Sequence, residues 1–202
     1  MLVFTHEGTR REVGHVQDDA ASAAMDRYAS GEDAAFGELY DLLAPKLLGF
    51  LFRQTRDRAR AEDLVQQTFL QMHCARETYV TGADVTPWAF AIARRLSIDA
   101  YRRAKREVLE ADLDLAGMVD DMGPDDALRS KQAAEMLQQT LDSLPETQRV
   151  AFELIKRDGL SVAQAAETLG TTVTAVKLRA HRTYEALRSA LRDGVLQKGV
   201  RR

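Results

Sequence analysis

The chain has 202 residues, of which 45% are hydrophobic, 29% charged and only 6% aromatic, and its formal net charge is −3. This composition supplies core residues, favours helices, and argues against a β-sandwich or a disordered chain. No stretch approaches the roughly 18 consecutive apolar residues of a membrane span, no secretory signal pattern opens the sequence, and a single cysteine excludes an internal disulfide. We therefore predict an all-α, cytoplasmic protein without direct membrane insertion.

The first of two predicted helical domains covers residues 18–106. It follows residues 1–17, which show no sustained period and are predicted to form a mobile tail. Apolar residues recur at helical spacing from Glu32, and Pro45 is predicted to kink or break that helix. Asp57 is predicted to cap the helix that follows.

The last helix of this domain is predicted from the segment that begins TPWAF. Thr86 stands where an N-cap belongs and Pro87 at the first helical position, so the helix should run to about Arg106. Apolar residues at helical spacing give it a stripe that should face the core, formed by Trp88, Ile92 and Leu96.

An acidic linker is predicted at residues 107–126, which hold eight acidic and no basic residues. The second domain follows at residues 127–192, and residues 193–202 are predicted to form a basic tail. Within the second domain, Ser161 and Gln164 have capping-box spacing, and Gly170 should end the helix that they begin. Another helix should start near Thr172, and these two short helices around a glycine match a helix-turn-helix. Its inward residues are predicted to be Val173, Val176, Ala180, Tyr184 and Leu187.

Charge is distributed unevenly along the chain. Residues 94–106 carry six basic residues against one acidic, and residues 177–202 carry eight against two. Phosphate contacts depend on local charge, so two basic segments predict two polyanion-binding surfaces. Solvated helix faces are the alternative interpretation.

The predicted second helix of the helix-turn-helix presents one outward face that could enter a major groove. Lys177 and Arg182 can contact phosphates or guanine edges, and His181 can donate to a base acceptor. Leu178 could meet a thymine methyl, or pack on a neighbouring helix or a partner protein. The outward face consists of Thr174, Lys177, Leu178, His181 and Arg182.

Four motifs in order give the chain a resemblance to a known family. These are AFGELYD, AEDLVQQTFLQM at residues 61–72, TPWAFAIARRLSIDAYRRAKRE at 86–107, and LPETQR. Together with the helix-turn-helix they resemble the extracytoplasmic-function sigma factors of bacteria. The resemblance implies a protein that gives RNA polymerase core its promoter specificity. The first domain would recognise the minus-ten element and the helix-turn-helix the minus-thirty-five element.

The resemblance also implies roles for particular residues. Asp63, Gln66 and Gln67 would contact the polymerase core, and the Tyr79–Val85 loop would hold an unstacked base of the non-template strand. Arg95 stands where many family members have asparagine, so the base preference there does not carry over. The linker would pass through the RNA channel, although a soluble spacer explains its acidity equally well. The residues implied for minus-ten DNA are Arg94, Arg95, Arg102, Arg103, Lys105 and Arg106.

The partners predicted on this basis are RNA polymerase core, promoter DNA as duplex and as non-template single strand, and an anti-sigma factor, which in this family is often membrane-anchored. A self-sufficient operator-binding regulator that acts as a dimer is the alternative, and a helical adaptor would not explain the basic outward face. His73 and Cys74 are adjacent, but helix neighbours point about 100° apart, so a metal site is not predicted. We find no active-site motif, and we expect neither an enzyme nor a cofactor.

Overall fold

A computed structural model describes the backbone of residues 7–111 and 126–199, and the side chains of residues 18–106 and 135–192. Every regular element in these ranges is helical, which confirms the all-α prediction. The predicted linker falls mostly outside them, as does the end of the basic tail. The helices are α1 (Glu7–Ala29), α2 (Ala35–Thr55), α3 (Arg58–Cys74), a 3₁₀ turn (Arg76–Thr78), α4 (Val85–Ala111), α5 (Asp126–Ser143), α6 (Glu146–Lys156), α7 (Val162–Thr168) and α8 (Val173–Gly199).

The first domain packs α1 to α4 around an apolar centre. Leu39, Leu43, Leu47 and Phe50 of α2 are fully buried, as their helical spacing predicted. The predicted break at Pro45 is wrong, because α2 continues through it. Pro45 is exposed, so the carbonyl that lacks a helical donor because of this proline can hydrogen-bond to water instead.

Two of the predicted boundaries in this domain differ from the structure. Asp57 caps α3 as predicted, accepting from the backbone N–H of Arg60 at 3.1 Å. Thr86, however, is fully buried, and it is Asp84 that accepts from the Thr86 N–H at 3.0 Å at the start of α4. The backbone of α1 is helical from Glu7, within the predicted tail.

The second domain contains the predicted helix-turn-helix. Ser161 and Gln164 form the capping box at the start of α7, and Gly170 takes a left-handed conformation with φ of +58° in the turn. Thr172 accepts from the Ala175 N–H at 3.2 Å where α8 begins. The helix-turn-helix prediction is therefore confirmed in the backbone and in its caps.

The inward face of α8 is partly different from the prediction. Val176 and Leu187 are buried, but Val173 and Tyr184 are 41% and 53% exposed, so their assignment to the core was wrong. Thr183 is buried in place of Tyr184, and its hydroxyl donates to the Gln148 carbonyl of α6 at 3.1 Å. A threonine can be buried without loss when its hydroxyl has a backbone acceptor. A search for periodic apolar residues does not detect such a position, because threonine is polar.

Candidate protein and nucleic-acid interfaces

The recognition face of α8, formed by the five outward residues predicted above, is exposed in every member. Thr174, Lys177, Leu178, His181 and Arg182 all lie on the solvent side of the helix. The opposite side of α8 packs on α5, α6 and α7. A helix that is fixed by packing on one side and exposed on the other can enter a major groove, which is wide enough for an α-helix. Leu178, at 47% exposed, has no core role within the described chain.

The second half of α4 presents a basic surface that we call the α4 ridge, formed by Arg95, Arg102, Arg103, Lys105 and Arg106. All five are exposed, and the last four surround a shallow depression with Asp99. Arg95 is tethered, since it donates to the Gln71 side chain of α3 at 2.9 Å. The guanidinium donors on this ridge are suited to phosphate oxygens.

Arg94 does not belong to this ridge, although the sequence assigned it to the same function. Its side chain is only 27% exposed and lies 3.5 Å from Glu146, at the start of α6 in the second domain. Consecutive helix residues diverge by about 100°, so Arg94 and Arg95 face different neighbours. In this arrangement Arg94 connects the two domains.

The loop before α4 is ordered by specific contacts. Tyr79 donates from its hydroxyl to the Ala83 carbonyl, and its ring lies 5.6 Å from that of Trp88. The Gly82 N–H donates to Asp26 of α1 at 2.9 Å, with φ of +81° at this glycine. Burial, together with the charges of Asp26 and Asp84, raises the pKa of Tyr79 to about 12, so its hydroxyl stays a donor. Trp88 is half-buried against the core, as its place on the inward stripe predicted.

The α3 face, formed by Asp63, Gln66 and Gln67, is exposed in all three positions. Two surface grooves adjoin it, and Gln66 lines both. The sequence interpretation missed two apolar residues here: Leu70, 61% exposed, and Tyr40, 40% exposed. Leu70 lies one turn after Gln66 on the same face of α3. An apolar residue on the otherwise polar face of a helix was the sequence signal that could have identified it as an interface residue. Mixed polar and apolar exposure of this kind is typical of a protein interface.

The described residues contain neither a cluster of His, Cys, Asp and Glu that could hold a metal nor a helix long and apolar enough to cross a membrane. His73 is hydrogen-bonded through Nδ1 to the Tyr28 hydroxyl, and Cys74 is exposed at the end of α3.

Two family models match the chain in the order of its domains. The sigma-70 region 2 model matches residues 39–107, and the sigma-70 region 4 model matches residues 134–187. The fold and the exposed surfaces thus define a two-domain sigma factor of the sigma-70 class. Among curated proteins, the chain is 35% identical over 167 residues to the RNA polymerase sigma factor CarQ of Myxococcus xanthus, covering 83% of this chain and 95% of CarQ. It is 36% identical over 171 residues to the ECF RNA polymerase sigma factor SigF of Caulobacter vibrioides, covering 84% and 93%. The chain belongs to the extracytoplasmic-function (ECF) sigma factors.

Two solved structures share the fold. The sigma factor RpoE of Bartonella quintana, in complex with the anti-sigma factor NepR, superposes with a TM-score of 0.64 at 26% identity, covering 78% of this chain and 96% of RpoE. CnrH, in complex with the cytosolic domain of CnrY, gives a TM-score of 0.65 at 26% identity, covering 87% and 98%. These matches do not favour the alternative of a self-sufficient operator-binding regulator.

Proposed function

We propose that this ECF sigma factor binds RNA polymerase core through the α3 face and its flanking grooves, and reads promoters through two separate DNA surfaces. The observation that carries the proposal is the presence of one exposed basic surface on each domain. The α4 ridge lies on the region 2 domain, and the recognition face lies on the region 4 domain. The protein acts in the cytoplasm as a specificity subunit, with no catalytic residue of its own.

The two DNA surfaces differ in the chemistry they offer. The recognition face combines donors with one apolar side chain on a single helix, which suits base edges in duplex DNA. The α4 ridge offers four clustered basic side chains that begin about 25 Å along α4 from the loop whose backbone is held by Asp26 and Tyr79. A single strand that crosses both would place a splayed base at the loop and its phosphates on the ridge. We therefore assign the minus-thirty-five element to the first surface and the minus-ten element to the second.

Alanine at Asp63, Gln66 and Gln67 together is expected to weaken core binding while leaving the melting temperature nearly unchanged. Substitutions at exposed positions usually stay within about 0.5 kcal/mol in stability, whereas loss of three interface groups removes hydrogen bonds that the core requires. Fluorescence anisotropy or surface plasmon resonance measures the binding of the protein to core. Glu77→Ala, which removes an exposed charge from the turn after α3, is the control and should bind as the wild type does. Unaltered core affinity in the triple variant contradicts the assignment.

We propose an anti-sigma factor as the inhibitory partner. RpoE and CnrH, two similar chains, were each solved in a complex with another protein, and the partner of RpoE is an anti-sigma factor. The exposed apolar side chains beside the α3 face, Leu70 and Tyr40, offer such a protein contact area that competes with the polymerase.

Purification of the tagged protein from uninduced native cells, from both the soluble and the membrane fractions, is expected to yield a small protein besides polymerase. Leu70→Ser should reduce the recovery of that protein, because the substitution removes exposed apolar area. Recovery of polymerase alone under uninduced conditions counts against an anti-sigma partner.

A further inference from the structure

The Arg95 side chain is held by a side chain of a neighbouring helix, unlike those of Arg103 and Arg106 on the same ridge. Arg95 is exposed, and its Nη2 donates to Oε1 of Gln71 on α3 at 2.9 Å. Arg103 and Arg106 donate instead to carbonyls of their own helix, both at 3.4 Å. An arginine tied to another helix has fewer conformations open to it, so less entropy is lost when it binds a ligand.

The acceptor of this hydrogen bond is itself fixed by the packing of α3 on α4. Gln71 is half-buried, and the residue after it, Met72, is fully buried in the core. Arg60 adds a second link between the two helices, since its Nη2 donates to the Ala100 carbonyl at 2.8 Å. The Gln71–Arg95 pair therefore joins two backbones whose relative position is set by the core.

Arg95 lies between the two parts of the proposed minus-ten surface. It follows Val85, where α4 begins after the loop, by ten positions, which is about 15 Å along the helix. Arg102, the first of the clustered basic residues, follows Arg95 by seven positions, which is about two turns, so both lie on one face. A strand with a base at the loop and phosphates on the cluster would pass Arg95.

The hydrogen bond to Gln71 leaves Arg95 with donors that match one kind of base edge. A guanidinium has five N–H groups in one plane. Nη2 carries two of them, so whichever one Gln71 accepts, an edge with two parallel N–H donors stays free. In the major groove guanine presents two acceptors, O6 and N7, whereas adenine presents one acceptor and one donor, cytosine a donor, and thymine one acceptor.

The residue type at this position should therefore decide which base is preferred. The asparagine that many family members have here carries both a donor group and an acceptor, whereas arginine carries donors alone. Two fixed donors suit the two acceptors of guanine, and this is the commonest specific contact that arginine makes with a base.

We propose that Gln71 is a positioning residue for Arg95, and that Arg95 reads a guanine of the minus-ten element through its O6 and N7 atoms. The inference rests on the proposed function, because it takes the α4 ridge as the minus-ten surface. Gln71 fixes the plane of the guanidinium, and the clustered basic residues beyond Arg95 hold the phosphates. When the guanidinium is free to rotate, its charge remains but its preference for one base is reduced.

Binding of the holoenzyme to forked templates tests the proposal. The minus-ten bases of a template selected from a promoter library are varied one at a time, over a range of salt. Arg95→Lys keeps the charge but lacks the planar donors, so it should lower the preference for guanine at one position about fivefold or more and leave the salt slope unchanged. Gln71→Ala should lower the same preference about threefold or more, also without a change in slope. Gln71→Glu keeps an acceptor oxygen and should retain the preference.

Two further measurements identify the atoms and the route of the effect. Replacing that guanine by 7-deazaguanine removes the N7 acceptor and leaves base pairing intact. It should weaken binding of the wild type and have little effect on Arg95→Lys. Adding Gln71→Ala to Arg95→Lys should not change the base preference further, because Gln71 acts through the Arg95 guanidinium.

The matched control is Gln138→Ala, which removes a glutamine that accepts a hydrogen bond from Arg157 at 3.2 Å in the second domain. It should keep the wild-type preference at every minus-ten position. A Gln71→Ala variant that equals this control, or a wild type that does not distinguish guanine from 7-deazaguanine, overturns the proposal. Failure of the proposed function looks different: Arg95→Ala and Arg102→Ala together then leave both the affinity for the fork and the salt slope unchanged.

Discussion

Adding RNA polymerase core is expected to tighten the binding of this protein to promoter duplex by orders of magnitude. The free protein has only a small local excess of positive charge in each basic segment, five at residues 94–106 and six at residues 177–202, and the acidic segment between them can compete for both. Counterion release from so few phosphate contacts gives weak binding at physiological salt. Opening the minus-ten region also costs on the order of 1.4 kcal/mol for each stacking step, which a small domain does not supply alone.

Fluorescence anisotropy with three DNA samples measures this dependence. The samples are promoter duplex, a forked template with an exposed non-template strand, and duplex with core added. The free protein should prefer the fork, because the unpaired strand has already been opened, and core should make duplex binding tight and specific. Nanomolar, sequence-specific binding of duplex by the protein alone at physiological salt contradicts the prediction and favours an operator-binding regulator.

Alanine substitutions along the recognition face are expected to separate base contacts from phosphate contacts. Loss of a base contact should relax the preference at one promoter position by about 1–3 kcal/mol, which is roughly 5- to 150-fold. Loss of a phosphate contact should weaken all sequences alike and reduce the salt slope by about one. Lys177→Ala, Leu178→Ala, His181→Ala and Arg182→Ala are measured one at a time in the holoenzyme, on a promoter library and over a range of salt.

The matched control for this series is Arg58→Ala, which removes one exposed positive charge on α3, in the domain that does not carry the recognition face. It should change neither the promoter preference nor the salt slope. If all four recognition-face variants leave promoter strength and selectivity at the control level, this helix does not read the minus-thirty-five element.

Local signals in the sequence were sufficient for the helix-turn-helix and for the exposed faces. Ser161 and Gln164 are three residues apart, Gly170 ends their helix, and the recognition face repeats at helical steps, so each signal lies within a few residues of chain. The same holds for Asp63, Gln66 and Gln67 on α3. Both sets of residues are exposed as predicted, because helix periodicity alone decides which residues share a face.

Two of the predictions that failed depended on a neighbouring helix. Periodicity predicts that Tyr184 is buried. Thr183 is buried instead, because its hydroxyl donates a hydrogen bond to the Gln148 carbonyl of α6. Thr86 has the sequence position of an N-cap, but its side chain is buried, and its hydroxyl donates a hydrogen bond to Asp18 of α1 at 3.2 Å. In both cases a polar side chain is buried because a distant part of the chain supplies its hydrogen-bond partner.

The sequence by itself therefore determined the helical class, the helix-turn-helix, the two basic surfaces and the sigma-factor family. Only the tertiary structure decided that Gln164 joins the domains through Asp84 and Asp18, which precede it by 80 and 146 positions. It likewise moved Arg94 from the DNA surface to the domain interface. The physical reason is that helix phase and capping are set by residues a turn apart, whereas docking depends on complementary polar groups that are brought together only when the chain has folded.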